Sequence, residues 1–480
     1  MQGIDMTTKA VAAVLAAVLA AVAAAGAAQA KDGNVAFVQV SRRDARYFEL
    51  SDGRAYIPVG LNMISPRSAE DERAGLAQMD AWMGKLAANG GNYLRVWLSA
   101  PFWDVEHRRS GEYDAAKAKR IDALVALARK HRLRVKMTLE HFRDFHDTRR
   151  PWINKPIHHV SQGGPARNVA DFFDGKKSRD QFRRKLAWFA GRYGNEPQVF
   201  GWELWNEVNC VRGGDYMAWT AVMLGELHRR FPKNLAMQSL GSFDHAQKRG
   251  MYRRLSTMKG NDVAQVHRYL DLGARLDVCH GPVDVLAADA VRELLALRPG
   301  RPVLLAESGA VEPGHSGPFK LYAKDRRGII LHDVLFAPFF AGAAGGGQTW
   351  HWDHYVAKND LWWQFGRFAE AVKGLDAPAE RFQPATVPNA RLRVYVLKGR
   401  KTVLAWGRDV QNTWKTELAE GKAPGTIRGA SVDFAKVLAG RKGVSARTYD
   451  PWANRWRDAT LNGAKVALPD FQRSIVVRIE

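Results

Sequence analysis

Apolar residues recur along this chain in two rhythms. Short runs of nearly continuous apolar character fall at 56–63, 93–99, 133–142, 199–207, 235–243, 263–270, 302–310 and 346–355. Between them lie segments with helical spacing. From Asp114 to His131, Ile121, Leu124, Val125 and Ala128 recur on one face, and Phe182, Leu186 and Phe189 repeat the pattern in the next segment. Glycine or proline punctuates most junctions. Strands apolar on both faces predict a parallel sheet covered by helices. Eight strand–helix units between residues 56 and 375 predict an α/β fold closed as a (β/α)8 TIM barrel. An open doubly wound sheet would carry a glycine-rich phosphate loop after an early strand; the first strand ends Gly60-Leu61-Asn62-Met63 instead. Ahead of it, Ser51-Asp52-Gly53 between apolar runs predicts a hairpin.

The pattern changes after Leu375. Residues 376–388 contain three prolines and no period, which reads as a linker. Short alternating runs then predict a small all-β sandwich over 379–480. At the other end, Lys9 precedes an Ala/Val/Leu run from Ala10 to Ala25 and a small-x-small site at Ala28-Gln29-Ala30. Residues 1–30 therefore read as a signal peptide cleaved near Ala30, giving a secreted or periplasmic protein; the catalytic domain with its N-terminal hairpin spans 31–378. An uncleaved anchor is the rival reading. No later run is long enough to span a bilayer, and a monomer is expected.

Composition changes this picture little. Lys and Arg total 72 against 49 Asp and Glu, a formal charge of +23 spread over both parts. A solvated basic surface explains it as well as attraction to an anionic polysaccharide does. Nucleic acid is not expected of an exported chain with no recognisable binding module. The two cysteines, Cys210 and Cys279, follow strands four and six and suggest a disulfide between two loops. Their spacing is not that of a zinc site.

In a barrel, the last polar residue of each strand projects into one cup. Those residues are Asn62, Arg95, His141, Asn206 with Glu207, His267 with Tyr269, Glu307, and Trp350 with Trp352. Hydrolysis of a sugar acetal needs two carboxyl groups, and pyranose C–H faces stack on aromatic rings. Glu203, four residues deeper than Glu207, reads as a buried hydrogen-bonded carboxylate, and Glu140 as a similar one. Trp97, Trp103, Trp152 and Trp219 read more readily as core. The histidine-rich stretch 140–159 lacks metal-ligand spacing on a helix and reads as a substrate-facing loop.

With those residues in order, residues 56–375 resemble a glycoside hydrolase of clan A, most similar to the family-5 cellulases and mannanases. The resemblance makes Glu207, in Asn206-Glu207, the acid/base and Glu307, in Glu307-Ser308-Gly309, the nucleophile. It implies that Arg95 keeps the nucleophile ionised. It implies substrate-site roles for Asn206, His141, His267, Tyr269 and a tryptophan of strand eight, Trp350 or Trp352. The chemistry implied is retaining cleavage of a β-linked polysaccharide or oligosaccharide with neither metal nor organic cofactor. Two alternatives stay open: a non-catalytic carbohydrate-binding protein on the same scaffold, and a hydrolase that trims an acidic exopolysaccharide.

Overall fold

A computed structural model describes residues 36–68, 70–141 and 157–480. The signal-peptide segment, Trp152 and most of the 140–159 stretch lie outside the described residues. Residues 37–480 form one compact unit.

Three short antiparallel strands open it: β1 (Val38–Val40), β2 (Phe48–Leu50) and β3 (Ala55–Tyr56). The Ser51-Asp52-Gly53 turn joins β2 to β3, with Leu50 N–H donating to the Arg54 carbonyl at 2.7 Å. Strand–helix alternation follows. A five-stranded parallel sheet runs β4 (Gly60–Asn62), β5 (Tyr93–Trp97), β6 (Arg134–Glu140), β7 (Val199–Trp205) and β8 (Leu235–Met237). A parallel pair follows, β9 (Ala264–His267) and β10 (Val303–Glu307). Gly60 is required at the first step, because a Cβ there would lie 1.8 Å from the Tyr93 carbonyl oxygen of β5.

Hydrogen bonds continue across both gaps. Asp262 N–H donates to Ala236 O at 2.9 Å, and Phe243 N–H to His267 O at 2.7 Å. Thr349 bridges Ser308 in parallel, and its carbonyl accepts from Asn62 N–H at 3.0 Å. The run predicted as a strand over 346–355 keeps strand-like pairing only near Thr349, and a π-helical turn takes over at Trp352–Ala357. The strands expected at 235–243 and 263–270 are likewise shorter than their apolar runs, since apolar patterning marks burial as readily as ladder pairing.

The helices are α1 (Glu72–Ala88), α2 (Ala115–Lys130), α3 (Val169–Asp174), α4 (Lys176–Tyr193), α5 (Tyr216–Arg230), α6 (Arg249–Ser256), α7 (Val283–Ala296), α8 (Ile329–Phe340) and α9 (Trp363–Ala371). Asp71, Asp114 and Asp215 cap α1, α2 and α5 by accepting backbone N–H bonds of the first turn. The apolar stripe of α2 (Ile121, Leu124, Val125 and Ala128) is buried. Strand alternation separates two environments on β7. Trp202 packs between Phe189 and Phe231 on the helical side, while neighbouring Glu203 faces Arg95 of β5.

Beyond Leu375, residues 377–380 form a helical turn and Gln383–Val387 form β11, antiparallel to β12 (Leu392–Lys398). The segment read as a linker is therefore an edge strand. Pro384 is tolerated there because an edge strand leaves some N–H groups unpaired. β12 continues through β13 (Val403–Asp409) and the C-terminal strand Ser474–Ile479 to strands Ala446–Asp450 and Arg455–Ala459, all antiparallel. Val394, Val396 and Val477 of this sheet share a buried cluster with Val432, Val466 and Phe471 of the smaller strands.

The other face lies on α7 and α8. All twelve residues of α8 are buried. Arg408 Nε donates to Asp333 at 2.7 Å, Arg393 Nε and Tyr395 Oη donate to Asp284 at 2.6 and 2.8 Å, and Trp406 packs beside Phe336. Trp414 donates to the Gly281 carbonyl and Trp456 to Glu370. Among described residues no helix is long and apolar enough to cross a membrane.

Candidate active site

The carboxyl ends of the parallel strands converge on a cavity of about 790 Å³, within the size range of small-ligand sites. Asn206, Glu207, Tyr269, Glu307, Trp350 and Trp352 line it. Arg95 and His267 lie one layer below and are fully buried. His141 stacks on Trp97 at 4.7 Å, and Trp97 in turn meets Trp350 at 4.8 Å. All nine residues expected at the site from sequence therefore fall in one connected network.

Glu207 sits just past β7 with φ 50°, and its N–H donates to Ser239 Oγ at 3.1 Å. A non-glycine residue in this left-handed region costs about 1–3 kcal/mol, and such strain collects at functional sites. Glu307 ends β10. Two residues on, Gly309 takes φ 135°, and a Cβ there would lie 2.7 Å from Tyr322 Oη, so the turn after the second carboxylate needs glycine.

Arg95 organises the floor. Its guanidinium bonds to Glu307 Oε1 and to Glu203 Oε2, and donates to Asn206 Oδ1 at 2.7 Å and Asn62 Oδ1 at 3.1 Å. Glu203 also accepts from Thr138 at 2.6 Å and lies 3.2 Å from Lys136 Nζ. Despite complete burial, Arg95 and Lys136 hold Glu203 far below the ordinary carboxyl range. Burial and the Arg95 charge push Lys136 down to about 7.

The two cavity carboxyls differ in company. Burial first, then the Glu307 charge, raises Glu207 well above the usual range. Burial also raises Glu307, but Arg95 and the Tyr269 hydroxyl, which donates to Glu307 Oε2 at 2.9 Å, oppose it. When the pair holds one proton, the proton belongs on Glu207 and the charge on Glu307. His267 Nδ1 lies 2.9 Å from Glu207 Oε1 and 3.4 Å from Glu307 Oε2. Burial and Arg95 lower this imidazole well below its usual value, so it is neutral.

Two groups among the described residues have metal-like spacing, Glu207 with His267 and Glu307, and Glu106 with Glu140 and His158. In the second, the Lys185 ammonium bonds Glu140 and lies 2.9 Å from Glu106, where a cation would sit. In the first, Arg95 already neutralises Glu307.

Three expectations need correction or extension. Both cysteines are free: Cys210 is exposed, with Sγ 3.8 Å from Glu207 Oε2, and Cys279 is buried in the turn after β9. The suggested disulfide is absent: Cys210 stands at the cavity beside Glu207, while Cys279 is enclosed in the 277–280 turn. Trp97 belongs to the cavity, although its strand position two residues after Arg95, on the same face, could have signalled it. Ser242, Lys248 and His315 also reach the cavity. They stand in loops past the strand ends, where periodicity carries no information.

No family model matches the chain. Mannan endo-1,4-beta-mannosidase 3 of Oryza sativa subsp. japonica is 26% identical over 365 residues, covering 69% of this chain and 74% of the relative. A solved structure described as a glycoside hydrolase superposes with TM-score 0.61 at 13% identity, covering 92% of this chain and 96% of that one. The endo-1,4-beta-mannanase from Rhizomucor miehei gives TM-score 0.50 at 17% identity, covering 70% and 99%. In sequence the chain is similar to these mannan endo-1,4-beta-mannosidases, and in fold it is similar to solved glycoside hydrolases.

Proposed function

We propose that the protein is an exported, retaining glycosidase that cleaves a β-linked polysaccharide, with β-mannan the first backbone to test. The two parallel sheets and the strand-like residues around Thr349 act in this reading as one closed (β/α)8 barrel, with the C-terminal β-domain as its accessory sandwich. Glu207 is the acid/base and Glu307 the nucleophile. One observation carries this: an oxygen of Glu207 and one of Glu307 come within 4.8 Å. Carboxyls about 5–5.5 Å apart let one attack the anomeric carbon directly, whereas about 6.5–9.5 Å leaves room for water and gives inversion.

In the first step Glu307 attacks the anomeric carbon while Glu207 protonates the departing oxygen. In the second, Glu207 takes a proton from water, which releases the sugar from Glu307. Arg95 and Tyr269 hold Glu307 charged and aimed; Asn206, His267 and His141 complete the floor; Trp97, Trp350 and Trp352 offer faces to the pyranose.

The test begins with a polysaccharide panel read by reducing ends, then proton NMR of the first anomer released. Retention is expected, and an initially inverted product overturns the role given to Glu307. Glu307→Ala should abolish turnover, with azide restoring it and giving inverted product. Glu207→Ala should lose about 10²–10⁴-fold on substrates with poor leaving groups. It should largely spare the first step on activated ones, with azide giving retained product.

A further inference from the structure

We propose that Ser242, His315 and Asp271 form a second hydrolytic centre in the same cavity, which removes acyl esters from hydroxyl groups of the bound carbohydrate. The three come from successive loops: Ser242 after β8, Asp271 after β9 and His315 after β10. His315 Nε2 is 3.0 Å from Ser242 Oγ, and His315 Nδ1 is 2.9 Å from Asp271 Oδ2. Asp271 is buried, and its other oxygen accepts from Gly273 N–H at 2.8 Å and Gly314 N–H at 2.9 Å. An ionised carboxylate only accepts, so the Nδ1 of His315 carries the proton. Nε2 is then left as the acceptor for the Ser242 hydroxyl. That is the proton order of an activated serine.

The hairpin carrying His315 is built to hold it. Glu312 N–H donates to Gly317 O at 2.9 Å, Val311 pairs with Pro318, and His315 itself takes φ 58°. A strained backbone at a non-glycine residue, fixed by a buried carboxylate, marks a position set for its side chain. Ser242 and His315 both open on the cavity, and the His315 ring meets the Tyr269 ring edge-on at 5.2 Å. A sugar beside Tyr269 and Glu307 therefore presents its substituents to Ser242. Lys248 Nζ donates to the Ser242 carbonyl and to Asp244, each at 2.7 Å, and has a third N–H to offer an oxyanion.

In the reaction, Ser242 Oγ bonds to the acyl carbon and its proton passes to His315 Nε2. The tetrahedral oxyanion collapses, the C–O bond to the sugar breaks, and the sugar oxygen takes the proton from His315. Water, deprotonated by His315, then releases the carboxylic acid and restores Ser242. Water is the only co-reactant, and Asp271 stays ionised throughout.

The rival is a tether that merely anchors the hairpin. The full chain is incubated with a partly O-acetylated β-linked oligosaccharide, and free acetate is followed by proton NMR. The same chain is treated with a fluorophosphonate and mapped by mass spectrometry. We expect acetate release, phosphonylation of Ser242, and at least about 100-fold slower release from Ser242→Ala. Absence of acetate release, or equal release from Ser242→Ala, overturns the proposal. For a Ser242→Ala chain without a melting transition, the phosphonate decides, and an unmarked Ser242 overturns it. Glu307→Gln, which removes glycosidic cleavage, should keep acetate release; its loss would assign ester cleavage to the glycosidase carboxyls and overturn the second centre.

Discussion

In the proposed reading Glu207 carries opposed demands, because a proton donor in a buried cup is also a group the fold would rather not contain. In the unfolded chain its carboxyl titrates near ~4.3. In the folded chain burial and Glu307 raise it well above that value. Between the two values the folded state binds more protons. The contribution to stability is therefore full below the unfolded value and is lost as pH rises through the folded one. Catalysis follows the same titration, and kcat/KM should fall on the alkaline side as Glu207 loses its proton. Glu207→Gln keeps the shape and removes the titration. It should melt a few degrees higher than the parent at about pH 7, with the difference vanishing toward about pH 4. Calorimetry across that range checks this, and a variant no more stable than the parent near neutrality contradicts it.

At the scale of elements, what was legible depended on periodicity. The helices carried clear stripes and capping aspartates, so the α2 segment could be bounded from Asp114 to His131 within a residue of its observed limits. Strand ends were less visible. The run 235–243 holds only the three-residue β8, because its later residues are buried as loop rather than paired as ladder. The site followed from strand ends and from motif resemblance, which placed Asn206, Glu207 and Glu307; the charge state of Lys136 and the Ser242–His315–Asp271 relay depend on contacts among distant loops that no local pattern encodes. Gly60 shows where one residue decides an element. A side chain there collides with the Tyr93 backbone, which cannot move without parting β4 from β5. Gly60→Ala should cost about 1–3 kcal/mol or more, read as a lower denaturant midpoint. An unchanged midpoint would mean that the strands separate freely.

The whole molecule joins its two parts through buried charge and aromatic packing, and its cavity lining holds more acids than bases. Asp333 and Arg408 are both buried at the junction, so Asp333→Ala leaves a guanidinium without its counter-ion and should cost about 3–5 kcal/mol in chemical denaturation. The α8 face beneath the C-terminal sheet would be bared by deleting that sheet, which argues for packing as one of its tasks. The formal charge of +23 belongs to the chain as a whole. The cavity wall carries the acids Glu207, Asp244, Glu307 and Asp353 against the single ammonium of Lys248. A polyanion would meet carboxylates at the point of cleavage, whereas a neutral glycan would meet rings and hydrogen-bonding groups. The basic excess therefore acts on the outer surface, where exposed charges are screened within about 10 Å at 0.1 M salt. KM for a neutral β-linked oligosaccharide should stay constant between about 50 and 300 mM salt, while retention on an anionic polysaccharide resin should fall steeply over the same range. A KM that rises with salt on the best substrate would place the basic groups in the path of a charged substrate, and the acidic-polymer reading would then replace the neutral one.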